Sequence, residues 1–150
     1  MVSAHDVPSA KLISALAEQM KSLPAVQEPD WAKWVKTGSH AERPPINADW
    51  WFTRAASLMR KLYLHGPIGL GDLRRTYGGS KALHYNPKHH RDAGGSSIRR
   101  ILKQLEQAEL VAKTPKGRVL SPKGRALLDR ASNEIFSTLS KDSKAIARYA

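Results

Sequence analysis

The chain has 150 residues, 41% hydrophobic and 25% charged, with no cysteine, which is the size and composition of one domain around one core and excludes disulfide scaffolds, thiol catalysis and thiolate zinc sites. No apolar run reaches the roughly 18 residues needed to cross a bilayer, and MVSAHDVPSA has neither the basic nor the apolar region of a signal peptide; a cytoplasmic protein without a membrane partner is expected. The formal net charge of +12 is concentrated between Arg54 and Arg125, where sixteen Lys and Arg stand against four Asp and Glu, while the rest of the chain sums to zero; a polyanion is the natural partner of such a surface.

In chain order, Leu12, Leu16, Met20 and Leu23 recur at helical spacing and predict a helix over Val7 to Leu23, capped by Asp6 or Ser9 and ended by Pro24. From Pro24 to Asn47 a Pro-rich segment holds Trp31 and Trp34, which need a surface to pack on; an ordered wrap is expected. Asp49 to His65 predicts a stronger helix, with Trp51, Phe52, Ala55, Leu58, Met59, Leu62 and Tyr63 on one arc and Trp50, Thr53, Arg54, Ser57, Arg60 and Lys61 on the other. A short helix over Ile68 to Tyr77 ends at Gly78-Gly79, and a loop rich in His, Lys and Gly runs from Ser80 to Gly95. Ser96 or Ser97 opens a fourth helix lined by Ile98, Leu102, Leu105 and Ala108. Alternation then predicts strands over Leu110 to Lys113 and Arg118 to Leu120 around a Thr114-Pro115-Lys116-Gly117 turn. Ser121 caps a last helix with Pro122 at its first position and Leu128, Ala131, Ile135 and Leu139 on its core face; the basic tail 141–150 is expected to fray.

Helix, short helix, loop, helix and hairpin describe a mainly α, single-domain fold spanning 1–150: a winged helix-turn-helix core with a small β-hairpin wing and extra N-terminal and C-terminal helices. In such modules the second helix of the pair presents side chains to nucleic acid and the wing touches backbone nearby. With Ile98, Leu102 and Leu105 turned inward, Arg99, Arg100 and Lys103 face outward together beside Gln104 and Gln107, and the wing carries Lys113, Lys116 and Arg118. Arg54 and Lys61 on the second helix are further phosphate contacts. Trp50, on the same arc, either stacks on a splayed base or packs under the Pro-rich wrap.

The pattern favours RNA over DNA, because no heptad seam or second domain provides the dimer that a DNA reader uses on paired half-sites; a winged-helix DNA-binding regulator is the alternative. Neither Gly78-Gly79-Ser80-Lys81 nor Gly94-Gly95-Ser96-Ser97 has nucleotide-hydrolase spacing, though glycines entering a helix suit a phosphate, and Lys81 is a candidate contact there. His84, His89 and His90 have no carboxylate or cysteine set to complete a metal site. No nucleophile–base–orienter set is present, so neither enzyme activity nor a metal or other cofactor is expected.

An ordered series of short motifs spans about Asp6 to Asp129. It comprises Asp6-Val7-Pro8, Trp31 through Gly38, and Asp49-Trp50-Trp51-Phe52-Thr53-Arg54-Ala55-Ala56-Ser57. It continues with Leu62-Tyr63-Leu64, Tyr77-Gly78-Gly79, Ile98-Arg99-Arg100 with Leu105-Glu106, and Gly117-Arg118 with Ser121-Pro122-Lys123-Gly124. In this series the chain resembles the archaeal–eukaryotic small-subunit ribosomal protein nineteen family (S-nineteen-e), and its archaeal members in particular. The resemblance implies a winged-helix-like fold, a place in the head of the small ribosomal subunit beside other ribosomal proteins, rRNA binding and a part in subunit assembly. It puts Trp50, Arg54, Lys61, Arg99 and Arg100 at or near the RNA face. The stretch Ser80-Lys81-Ala82-Leu83-His84 departs from it, being less basic than the family loop. The expected role is a structural constituent of the small subunit, monomeric outside the ribosome.

Overall fold

The computed structural model describes residues 2–83 and 85–142. Five α-helices lie among them: α1 (Ser9–Lys21), α2 (Trp50–His65), α3 (Leu70–Tyr77), α4 (Gly95–Gln107) and α5 (Pro122–Asp142). Two antiparallel hairpins complete the order: β1 (Gly79–Leu83) with β2 (Asn86–Arg91) between α3 and α4, and β3 (Val111–Thr114) with β4 (Gly117–Leu120) between α4 and α5.

Helix α2 is the centre of the core. Its apolar residues cover most of its circumference, so α1, α4, α5 and β4 all pack around it. Trp51, Ala55, Leu58 and Met59 are fully buried. Helix α1 brings Leu12, Leu16 and Met20, α4 brings Ile98, Ile101, Leu102 and Leu105, and α5 brings Leu128 and Ala131. Burying each such Leu, Ile or Met is worth about 1.5–3 kcal/mol against exposure, so this aliphatic layer fixes how the helices sit.

Helix α4 and the wing are each fastened by hydrogen bonds as well as by packing. Gln104 on α4 accepts a hydrogen bond from the Trp51 indole (2.9 Å), while Ile68 pairs with Arg118 on β4 through two 3.0 Å backbone bonds. That pairing is why α3 begins at Leu70 and not at Ile68. Gly117 takes φ +138° with the Ile68 backbone where a Cβ would stand, a position closed to other residues. Helix α5 starts as its sequence predicts: Pro122 is its first residue, and the Ser121 hydroxyl accepts the Gly124 N–H at 3.0 Å.

Four expectations change. The stretch read as a loop from Ser80 is a hairpin, with Ser80 opposite His90 and Lys81 opposite His89. All six residues of β2 are exposed, so no side chain there alternates into a core, and periodicity had nothing to report. Neither Asp6 nor Ser9 caps α1; the Asp6 carboxylate instead accepts the Ser3 N–H and hydroxyl, each at 2.8 Å. Helix α4 opens on Gly95 without a side-chain cap, and the Ser97 hydroxyl donates back to the Gly94 carbonyl. Trp34 does not pack as Trp31 does: it is 82% exposed. Lys141 and Asp142 close α5; the remainder of the expected frayed tail lies outside the described residues.

Within 24–47, Trp31 meets Trp51 edge-on at 5.6 Å. The Ala32 carbonyl accepts the Trp50 indole N–H, the Gln27 carbonyl accepts Gln104 Nε2, and the Thr37 carbonyl accepts the Gly94 N–H. These bonds connect the segment to α2 and to both ends of α4.

Candidate nucleic-acid interface

Helix α4 separates its two faces sharply. Ile98, Ile101, Leu102 and Leu105 are fully buried, and the same helical period that turns them inward leaves Arg99, Arg100, Lys103 and Gln107 exposed. The three cations line a groove of about 450 Å³ whose other walls include Trp31 and Ser96, and the Arg100 guanidinium lies 5.9 Å from the Trp31 ring. None of the three is paired with a carboxylate among the described residues. Gln104, expected beside them as an outward group, is engaged between Trp51 and Gln27.

On the wing, Lys113 and Lys116 are exposed. Arg118 is not available in the same way. Its Nε donates to Glu106 Oε1 at 3.1 Å, and its side chain is 20% exposed. Arg118 thus forms a half-buried ion pair that fastens β4 to α4. Lys81, half-buried on β1, lines a small pocket of about 290 Å³ with Lys36, Lys88, His40 and Glu42, so two strands and the Pro-rich segment bring three lysines together there.

Helix α2 supplies a second, separate basic site. The Arg54 guanidinium lies 4.3 Å from the centre of the Tyr77 ring and Lys61 Nζ 5.3 Å from it. Tyr77 and Ser57 share a 2.7 Å hydrogen bond. Burial lowers the Arg54 pKa from its ordinary value, opposed by Tyr77. Burial likewise raises that of Tyr77, against the pull of the Ser57 hydrogen bond and the Arg54 charge. Trp50 lies next to this site but is 8% exposed, with its indole N–H bonded to Ala32. Stacking on a base needs an open ring face, so the expected RNA contact at Trp50 is corrected to a core position under the Pro-rich segment.

Sequence reasoning gave no binding role to Tyr77, which it read as a helix end and as part of the Tyr77-Gly78-Gly79 motif, or to the exposed Arg75, Lys88 and Arg91. The charge count over Arg54 to Arg125 includes all three cations, so the signal was present; what was missing was the hairpin that displays two of them. Among the described residues no group of three His, Cys, Asp or Glu is close enough to hold a metal ion, and no helix is long and apolar enough to cross a membrane.

A helix pair, an outward cationic helix and a hairpin wing define the winged-helix class of nucleic-acid-binding module. The family model for ribosomal protein S19e matches residues 3–138, and the chain belongs to that family. It is 48% identical to the small ribosomal subunit protein eS19 of Aeropyrum pernix, over 99% of both chains. It is 44% identical to that of Thermoplasma acidophilum, again over 99% of both, and 39% identical to that of Haloarcula marismortui over the full length of both.

Proposed function

We propose that this chain is a non-catalytic structural constituent of the small ribosomal subunit, where it binds rRNA, lies against neighbouring proteins of the subunit head and supports assembly. The observation that carries the reading is the face of α4, where Arg99, Arg100 and Lys103 stand exposed without carboxylate partners among the described residues in a chain whose near full-length relatives are small-subunit proteins. Arg54, Lys61, Lys81, Lys113 and Lys116 add phosphate contacts around it. A cation meeting a phosphate releases condensed counterions, so affinity comes from charge and register from geometry. The DNA-regulator alternative loses to this reading because the relatives that match end to end are ribosomal.

The test is sedimentation of a tagged chain through a sucrose gradient in its native host. It is expected to travel with small subunits and to leave them at high salt. A chain that stays at the top of the gradient, with no small-subunit association at low salt, contradicts the proposal.

A further inference from the structure

On α2, Arg54, Ser57 and Lys61 are spaced three and four residues apart and so form one stripe. Tyr77, the last residue of α3, lies across that stripe. Its hydroxyl bonds to Ser57, in the middle, and its ring meets Arg54 on one turn and Lys61 on another. The backbone just after Tyr77 is closely packed. Gly78 follows it, with the Arg91 carbonyl and the His90 ring where a Cβ would stand, so the base of the β1–β2 hairpin closes on the end of α3.

The arrangement is incomplete as a set of contacts. Two cations share one ring, and neither has a carboxylate partner among the described residues. The Arg54 Nη1 is buried and makes no hydrogen bond. A buried donor of this kind costs free energy until an acceptor arrives, and the two cations repel each other until an anion lies between them. An aromatic ring attracts cations without neutralising them, so it is a suitable support for charges meant for another partner.

We infer that Tyr77 is a positioning residue: its ring and its bond to Ser57 hold Arg54 and Lys61 ready, as a pair, for an RNA backbone phosphate. This rests on the RNA-binding reading given above. Holding two long, flexible cations before binding removes ordering cost at the moment of contact.

The test uses the full-length chain and a transcript of the small-subunit rRNA, with affinity measured across a salt series and melting followed in parallel. Arg54→Ala with Lys61→Ala is expected to weaken binding and flatten the salt slope; no effect would sink the RNA reading of this site, independently of Tyr77. Tyr77→Leu is expected to lose about tenfold in affinity in the wild-type background and nothing further in the Arg54→Ala/Lys61→Ala background. Tyr77→Phe, which keeps the ring, is expected to stay within about threefold. Undiminished binding by Tyr77→Leu, equal loss in both backgrounds, or failure of Phe to restore binding would each overturn the inference. Should Tyr77→Leu not fold, the wild-type chain decides: the Arg54 Nε–H proton is expected to resonate upfield from ring current, and an unshifted proton would overturn the stacking on which the inference depends.

Discussion

Helices α2 and α4 both carry cations, but they hold them differently. On α4 the division is clean: fully buried aliphatics on one face, exposed Arg99, Arg100 and Lys103 on the other. On α2 nearly the whole circumference is used for packing, and Arg54 and Lys61 rest on the Tyr77 ring, part way into the protein. An exposed cation offers charge at little structural cost and can move to meet its partner. A half-buried one offers fixed geometry, and its replacement disturbs what lies beneath it. On the proposed reading, the α4 site supplies charge and the separate α2 site supplies register.

The largest effect that sharpens this contrast is in the core of α2. Trp51→Ala is expected to cost about 3–5 kcal/mol, a large share of the roughly 5–15 kcal/mol available to a domain of this size, and thermal melting of the purified variant checks it. Trp50→Ala is expected to cost nearly as much, about 3 kcal/mol, because Trp50 is also buried, contacts Trp51 edge-on at 5.3 Å and donates to Ala32. A Trp50 variant as stable as the parent would restore the open face that stacking requires.

A middle-sized effect tests whether α4 and the wing share a structural bond as well as a binding face. Arg118→Ala is expected to lower stability by about 1 kcal/mol through loss of the half-buried pair with Glu106 while changing RNA affinity far less than Arg99→Ala; the reverse order would return Arg118 to the RNA face. The smallest effect concerns pH. The Tyr77 phenol is raised above its unfolded value, chiefly by burial. Its contribution to stability is thus fully present below about pH 10 and is lost as pH rises through the higher folded value. Melting between neutral and alkaline pH is expected to show a shallow loss above that point which Tyr77→Phe reduces, the rest coming from Tyr63, raised likewise by burial and by its bond to Asp129.

The same contrast explains what the sequence disclosed. Wherever a side chain alternates between core and solvent, its spacing is written in the chain, as for Ile98, Leu102 and Leu105 on α4 or Val111 on the wing, and the winged-helix order followed from those periods. The β1–β2 hairpin buries none of the β2 side chains, so its strands left no period and read as a loop. The outward placement of Arg99, Arg100 and Lys103 was legible because it is the complement of a buried face. The engagement of Arg118 with Glu106 was not, since both residues look like free charges until β4 is folded back on α4. Tyr77 was hidden for a related reason: its role depends on three α2 side chains that meet it only in the tertiary structure.

The central claim is that unpaired cations on α4 drive binding to RNA phosphates without holding the fold together. Salt dependence of rRNA binding by Arg99→Glu/Arg100→Glu, measured beside its melting curve, tests this most directly. Each lost phosphate contact is expected to reduce the log–log salt slope by about 0.9 on duplex RNA or about 0.7 on single strands, so the double variant should flatten it by about 1.4–1.8. Stability should shift by no more than about 0.5 kcal/mol per exposed substitution. An unchanged slope with intact affinity, or a variant that unfolds, would contradict the claim.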